Sequence, residues 1–245
     1  SAGSLLRNVP RGLGASARRC LTSRGISPPI HLSKGLTFMK VDYTLYLCTD
    51  SRLMSCKTVE ESVEKAIAGG CSVVQLREKT ASSLEMYQLA CRVKQVTDRY
   101  NVPLIINDRL DICLAAGAAG VHLGQSDIPC REARRILGAD KIIGVSAATP
   151  EEAAKAQADG ADYLGVGAVF PTSTKTNTRK VTPETIRGIR SAVQIPFVVI
   201  GGVNAQNIAQ LYGLGINGAA VISAVVAQPD ITAAAREMRR AAELL

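Results

Sequence analysis

From Tyr43 onward, short apolar runs alternate with longer stretches of helical period. The apolar runs predict strands at 43–49, 72–76, 104–106, 120–123, 142–145, 163–166, 197–200 and 218–222. The stretches between them predict helices at 59–68, 84–100, 110–116, 130–137, 150–158, 183–192, 205–214 and 231–245. Gly69-Gly70, Gly117, Gly138 and Gly160 close four of these helices, where glycine supplies a left-handed cap. Eight strand–helix pairs, with strands apolar throughout, predict an α/β chain with one domain, a (β/α)8 TIM barrel spanning 39–245; roughly 200 to 250 residues suffice for that architecture. An open doubly wound sheet is the lesser alternative.

A parallel barrel presents its chemistry at the C-terminal tips of its strands. The segment 103–127, PLIINDRLDICLAAGAAGVHLGQSD, ends two consecutive strands in polar clusters, and each cluster holds an aspartate, Asp108 and Asp127. Two carboxylates converging on one mouth suit Mg²⁺, which takes one or two carboxylates and completes its shell with water and substrate phosphate. Singly, each aspartate reads better as a helix N-cap; together, at equivalent positions, they read as metal ligands. After the second strand, Gln75, Arg77 and Lys79 alternate and project from one face. An amide and two cations suit an anion, although a solvated charged turn has the same composition. Ser146 follows the fifth strand and could bond a phosphate, with helix capping the stronger reading.

The loop after the sixth strand, Pro171-Thr172-Ser173-Thr174-Lys175-Thr176, offers hydroxyls and one ammonium. Those are groups a diphosphate wants, and equally the make-up of a flexible Ser/Thr loop. Gly201-Gly202-Val203-Asn204 opens a helix after the seventh strand, and Ile222-Ser223-Ala224 follows the eighth. Phosphate commonly binds there in this architecture, and Gly202 would let backbone approach a ligand closely. No nucleophile–base pair is visible, since the mouth shows no histidine and Cys48 has no partner in sequence. Electrostatic catalysis around a leaving diphosphate fits better than covalent catalysis. The mouth is suited to two anionic substrates, or to one with anions at both ends.

Charge changes this picture little. The net charge is +8, but residues 1–38 hold Arg7, Arg11, Arg18, Arg19, Arg24 and Lys34 and no acid, which leaves +2 for the remainder. A basic surface for nucleic acid is not supported, and 4% aromatics with no Trp argue against stacking platforms for single strands. No apolar run reaches the ~18 residues of a membrane span. Seven cysteines, an odd count with no C-x-x-C, read as reduced thiols and exclude a zinc site, which points to the cytoplasm. Residues 1–38 are basic, Ser-rich and acid-poor, as organellar transit peptides are, or are translated sequence upstream of a start at Met39, which is the favoured reading. Either way they are expected to be poorly ordered and dispensable.

Taken together, Q-L-R-E-K at 75–79, I-N-D-R at 106–109, H-L-G-Q-S-D at 122–127, G-V-S at 144–146, P-T-S-T-K at 171–175, I-G-G-V at 200–203 and V-I-S at 221–223 resemble the thiamine-phosphate synthase (thiamine-phosphate pyrophosphorylase) family. The resemblance covers about 43–227; one departure is Ser126, where an acidic residue is common, and 1–38 has no counterpart. It implies a Mg²⁺-dependent transferase of thiamine biosynthesis. The enzyme would couple 4-amino-5-hydroxymethyl-2-methylpyrimidine diphosphate to 4-methyl-5-(2-phosphoethyl)thiazole through a pyrimidine-stabilised carbocation, releasing diphosphate. It further implies that Asp108 and Asp127 hold Mg²⁺, and that Gln75, Leu76, Arg77, Glu78, Lys79, Asn107, Ser146 and Lys175 bind the pyrimidine diphosphate. Thr172, Ser173, Thr174, Gly202, Ile222 and Ser223 would hold the thiazole phosphate, with Arg77, Lys79, Ser146 and Lys175 the catalytic groups. Small molecules are then the partners, without nucleic acid or membrane, and homo-oligomerisation stays open. A sister thiazole tautomerase and a non-catalytic sensor of phosphorylated ligands are the alternatives.

Overall fold

The computed structural model describes residues 41–172 and 179–245, so the extension 1–38 and the loop residues Ser173, Thr174 and Lys175 lie outside the described residues. Eight parallel strands close into a barrel in sequence order. They are β1 (Leu45–Cys48), β2 (Val73–Leu76), β3 (Leu104–Asn107), β4 (Gly120–Leu123), β5 (Ile142–Ala147), β6 (Tyr163–Gly167), β7 (Phe197–Ile200) and β8 (Gly218–Val221). Between them run α1 (Val59–Ala68), α2 (Ser83–Arg99), α3 (Leu110–Ala116), α4 (Cys130–Leu137), α5 (Pro150–Ala158) and α6 (Pro183–Ala192). The four residues of α7 (Ser223–Val226) and the longer α8 (Ile231–Ala242) follow β8. This is the (β/α)8 TIM barrel.

Local chemistry sets the helix starts. Thr58, Thr149 and Thr182 each accept a backbone N–H from three residues on, and Pro150 and Pro183 stand in the first turns. Ser82 and Glu85 form a reciprocal capping box on α2. At the far ends Gly70, Gly117, Gly138 and Gly160 all have positive φ, whereas Gly69 does not, at φ −86°. Two sequence expectations fail. The helix expected over 205–214 is a 3-10 turn at Ile208–Leu211, because Asn204 and Asn207 spend their side chains on the local backbone. The helix α7 was not foreseen, being too short to show a period.

Two apolar layers follow from the two-residue strand period. Leu45, Leu47, Val74, Leu76, Leu104, Ile106, Val121 and Leu123 face outward and pack beneath the helices. Tyr46, Cys48, Val73, Ile105, Tyr163, Val198 and Ala220 face the barrel axis. The inward layer is where the fold admits polar atoms.

Candidate active site

One cavity of about 560 Å³ opens at the C-terminal ends of the strands. Gln75, Arg77, Asn107 and Ser146 line the side built from β2 to β5, and Thr172, Gly202, Ile222 and Ser223 line the side built from the loops after β6, β7 and β8. Tyr46, Cys48, His122 and Tyr163 also reach it. The expectation of a mouth without histidine is therefore corrected. His122 stands on β4 with its Nε2 3.0 Å from Ser146 Oγ, so a serine–histidine pair is present. Ser146 lies within β5 and caps no helix; Thr149 caps α5 instead.

Arg77 turns out to be an organised cation. Its Nη1 meets Asp50 Oδ2 at 3.3 Å, and its backbone N–H donates to Thr49 Oγ1 at 3.0 Å. Asp50 is 4% exposed and also accepts from the Arg52 N–H. A guanidinium has five N–H donors, so pairing with Asp50 leaves donors for a ligand. Asp50 escaped sequence reasoning, although an aspartate directly after an apolar run at a strand tip was a usable signal. Burial pushes the Cys48 thiol up to about 12, with Arg77 pulling weakly the other way, which keeps it an unreactive thiol at neutral pH.

Neither aspartate caps a helix: α3 and α4 have Arg109 and Pro129 at their N-caps, without side-chain bonds. Nor are the two positions equivalent. Asp108 directly follows β3, whereas Asp127 stands four residues beyond β4 and returns through a turn, its Oδ2 accepting Gly124 N–H at 2.6 Å. Asp108 adopts φ 65°, the left-handed region an aspartate tolerates, with its N–H donating to the His122 carbonyl. Lys79 Nζ bonds Asp108 Oδ2 at 2.5 Å. The Asp127 carboxyl is pushed above the usual carboxylate range, first by burial and then by its hydrogen bond with Asp108 and that group's charge, against the pull of Gly124 N–H and Lys79. The fold therefore brings the two carboxyl groups together, beside the cavity rather than in its wall.

Among the described residues no three His, Cys, Asp or Glu side chains gather for a metal. Two neighbouring carboxylates with an accessible rim nonetheless suit Mg²⁺, which keeps several waters, and a cation there would favour the charged form of both. Lys79 partly occupies that role already. The remaining expectations divide. Leu76 is buried under the helices, so its side chain does not reach the cavity. Glu78 Oε2 accepts from Ser51 Oγ, its Oε1 is buried without a partner among the described residues, and it does not line the cavity. Gly202 has φ 66°, and a Cβ there would stand 2.4 Å from the Pro171 carbonyl oxygen, so close backbone packing alone demands glycine. The loop expected to open a helix after β7 is an asparagine-braced turn. Ser173, Thr174 and Lys175 lie outside the described residues.

Comparison with known proteins agrees with this architecture. The family described as "Thiamine monophosphate synthase" matches residues 45–225. A "Thiamine-phosphate synthase" of Ruminiclostridium cellulolyticum is 60% identical over 199 residues, covering 81% of this chain and 95% of its own. That of Clostridium beijerinckii is 54% identical over 200 residues, covering 82% and 96%. Among solved structures, a thiamine phosphate pyrophosphorylase from Pyrococcus furiosus superposes with TM-score 0.77 at 40% identity, covering 83% of this chain and 96% of its own.

Proposed function

The chain belongs to the thiamine monophosphate synthase family and has that family's transferase activity, and on that premise we propose which substrates and groups its mouth brings together. A pyrimidine bearing a methylene diphosphate lies against Gln75, Arg77, Asn107 and Ser146. A thiazole bearing a phosphoethyl group lies against Thr172, Gly202, Ile222 and Ser223. Asp108 and Asp127 hold Mg²⁺. The observation that supports this reading is that both sets of residues share one cavity, on opposing sides. Two substrates carrying anions at their outer ends would meet there with their reacting atoms inward.

In the step proposed, the bond from the methylene carbon to the diphosphate oxygen breaks, and its electron pair leaves with the diphosphate. The lone pair of the thiazole nitrogen then forms the new C–N bond. That nitrogen carries no proton, so the step needs no general base. Mg²⁺, when bound, supplies positive charge against the developing charge of the leaving group. Arg77 holds the diphosphate from a fixed position, because Asp50 and the strand tip limit its rotamers. Lys79, which does not line the cavity and is paired with Asp108, would add positive charge at the rim beside the metal site. Removing one such preorganised charge typically costs about 3 kcal/mol of barrier. The wall below, with Val198, Ile200 and Ala220, excludes water from a carbocation-like centre.

The six described cysteines are free thiols, which supports a cytoplasmic setting for this chemistry. The test is diphosphate release and thiamine phosphate formation from the two substrates, with Mg²⁺ and after its chelation. Formation in Mg²⁺ alone is expected. Undiminished release after chelation would remove the metal from the proposal, and absence of the coupled product would remove the substrates.

A further inference from the structure

An unbroken file of hydrogen bonds crosses the barrel interior, and the coupling step leaves it unexplained. Gln75 Nε2 donates to Tyr46 Oη at 3.0 Å, and the Tyr46 and Tyr163 hydroxyls are 2.7 Å apart. Tyr163 Oη lies 3.0 Å from His122 Nδ1, and His122 Nε2 lies 3.0 Å from Ser146 Oγ. Five strands supply its five members. Two glycines make the room. A Cβ at Gly144 would stand 2.1 Å from Tyr163 Cζ, and one at Gly165 would stand 2.9 Å from His122 Cε1.

The protons in this file can be counted. An amide nitrogen only donates, so Tyr46 accepts from Gln75; either hydroxyl of the Tyr46–Tyr163 pair can donate, and the arrangement that gives every buried proton in the file an acceptor has Tyr46 donating to Tyr163. Having accepted, Tyr163 donates to His122 Nδ1. A neutral imidazole that accepts at Nδ1 carries its proton on Nε2, and it gives that proton to Ser146 Oγ. Ser146, having accepted, keeps its own proton for whatever enters the cavity. Burial holds both phenols far above the ordinary tyrosine range, so neither hydroxyl becomes a pure acceptor.

We infer that His122, Tyr163 and Tyr46 are positioning residues, which fix His122 as its neutral Nε2–H tautomer and thereby make Ser146 a hydrogen-bond donor toward the bound substrate. The clause about substrate rests on the proposed function; the tautomer does not. The reverse file, with Nδ1–H donating to Tyr163 and Nε2 taking the serine proton, would instead make Ser146 a nucleophile. One amide at the far end selects between them.

The chain has two histidines, so His31→Gln leaves His122 as the sole reporter. The ¹⁵N spectrum of histidine-labelled full-length protein should show Nε2 as the protonated nitrogen and Nδ1 as the bare one. Gln75→Glu, measured at pH 8, replaces the donor by an acceptor and should reverse the file, moving the proton to Nδ1. If that variant fails to fold, Tyr46→Phe keeps the ring and should erase the tautomer preference. Tyr163→Phe should erase it too and lower kcat about tenfold, the size expected for one lost buried hydrogen bond, with KM within about threefold. An Nδ1–H or doubly protonated His122 in the otherwise native protein overturns the inference, as does a tautomer indifferent to both Gln75→Glu and Tyr46→Phe. Because the tautomer is read without turnover, a protein that shows it yet forms no thiamine phosphate refutes the proposed substrates and leaves the inference standing.

Discussion

Asp50→Asn separates a folding role from a positioning role at the mouth. The substitution keeps the shape and the acceptor for the Arg52 N–H but removes the charge opposite Arg77. The Arg77 and Asp50 side chains are 15% and 3% exposed, so the ion pair is only weakly wetted. At their 3.3 Å separation and an effective dielectric of ~20, the gross attraction is about 5 kcal/mol. Desolvation offsets much of that, and a charge-assisted hydrogen bond contributes about 2 kcal/mol net. Loss of that amount should appear as a lower urea midpoint with unchanged slope. Activity should respond differently. A guanidinium without its counter-charge attracts diphosphate at least as well in the ground state, so KM should hold or fall. Loss of its fixed direction should lower kcat about 10- to 100-fold, each decade being about 1.4 kcal/mol of barrier. Steady-state kinetics beside urea denaturation reads both. An Asp50→Asn variant with native kcat, or with activity reduced only in proportion to its unfolded fraction, would refute the positioning role.

Gly144→Ala places a methyl 2.1 Å from the Tyr163 ring, and overpacking of that kind costs about 1–3 kcal/mol; a melting temperature equal to the parent's would contradict the packing. Gly202→Ala forces φ 66° on a residue with a Cβ 2.4 Å from the Pro171 oxygen; it should destabilise by about 1–3 kcal/mol and weaken thiazole phosphate binding, read as a raised KM for that substrate alone. The folded carboxyl of Asp127 binds its proton more tightly than the unfolded one, so its stabilising contribution is present below the unfolded value near 3.8 and is lost as pH rises through the raised folded value. Asp127→Asn should therefore leave the metal-free protein equal to or slightly more stable than the parent at pH 7, by under ~1 kcal/mol for a partly exposed group, while abolishing any Mg²⁺ dependence of its melting; a variant less stable at pH 7 than at pH 4 relative to the parent would contradict this.

The fold was legible because its boundaries are written in local chemistry. The helices α1, α3, α4, α5 and α6 and the strands β4 and β7 have the expected bounds, and Thr58, Thr149, Thr182 and Gly117 mark ends of several of them. Failure came where asparagine side chains outcompeted the helix after β7, a preference that hydrophobic period does not record. At the site the lesson is about phase. Strand tips were read for charge, which found Arg77, Asp108 and Asp127 but counted Arg77 and Lys79 as unspent cations. Their acidic partners, Asp50 and Asp108, show that each has a counter-charge already. An apolar reading of the strand bodies leaves no polar role for Tyr46 and Tyr163, and an expected mouth without histidine leaves none for His122. The alternation that puts Gln75 inward also puts Tyr46 and Cys48 inward on β1, His122 on β4 and Tyr163 on β6. The bare positions at Gly144 and Gly165, paired with Tyr163 and Ser146 across β5 and β6, then have a reason in the sequence: a barrel core that gives up two side chains is making space for polar ones.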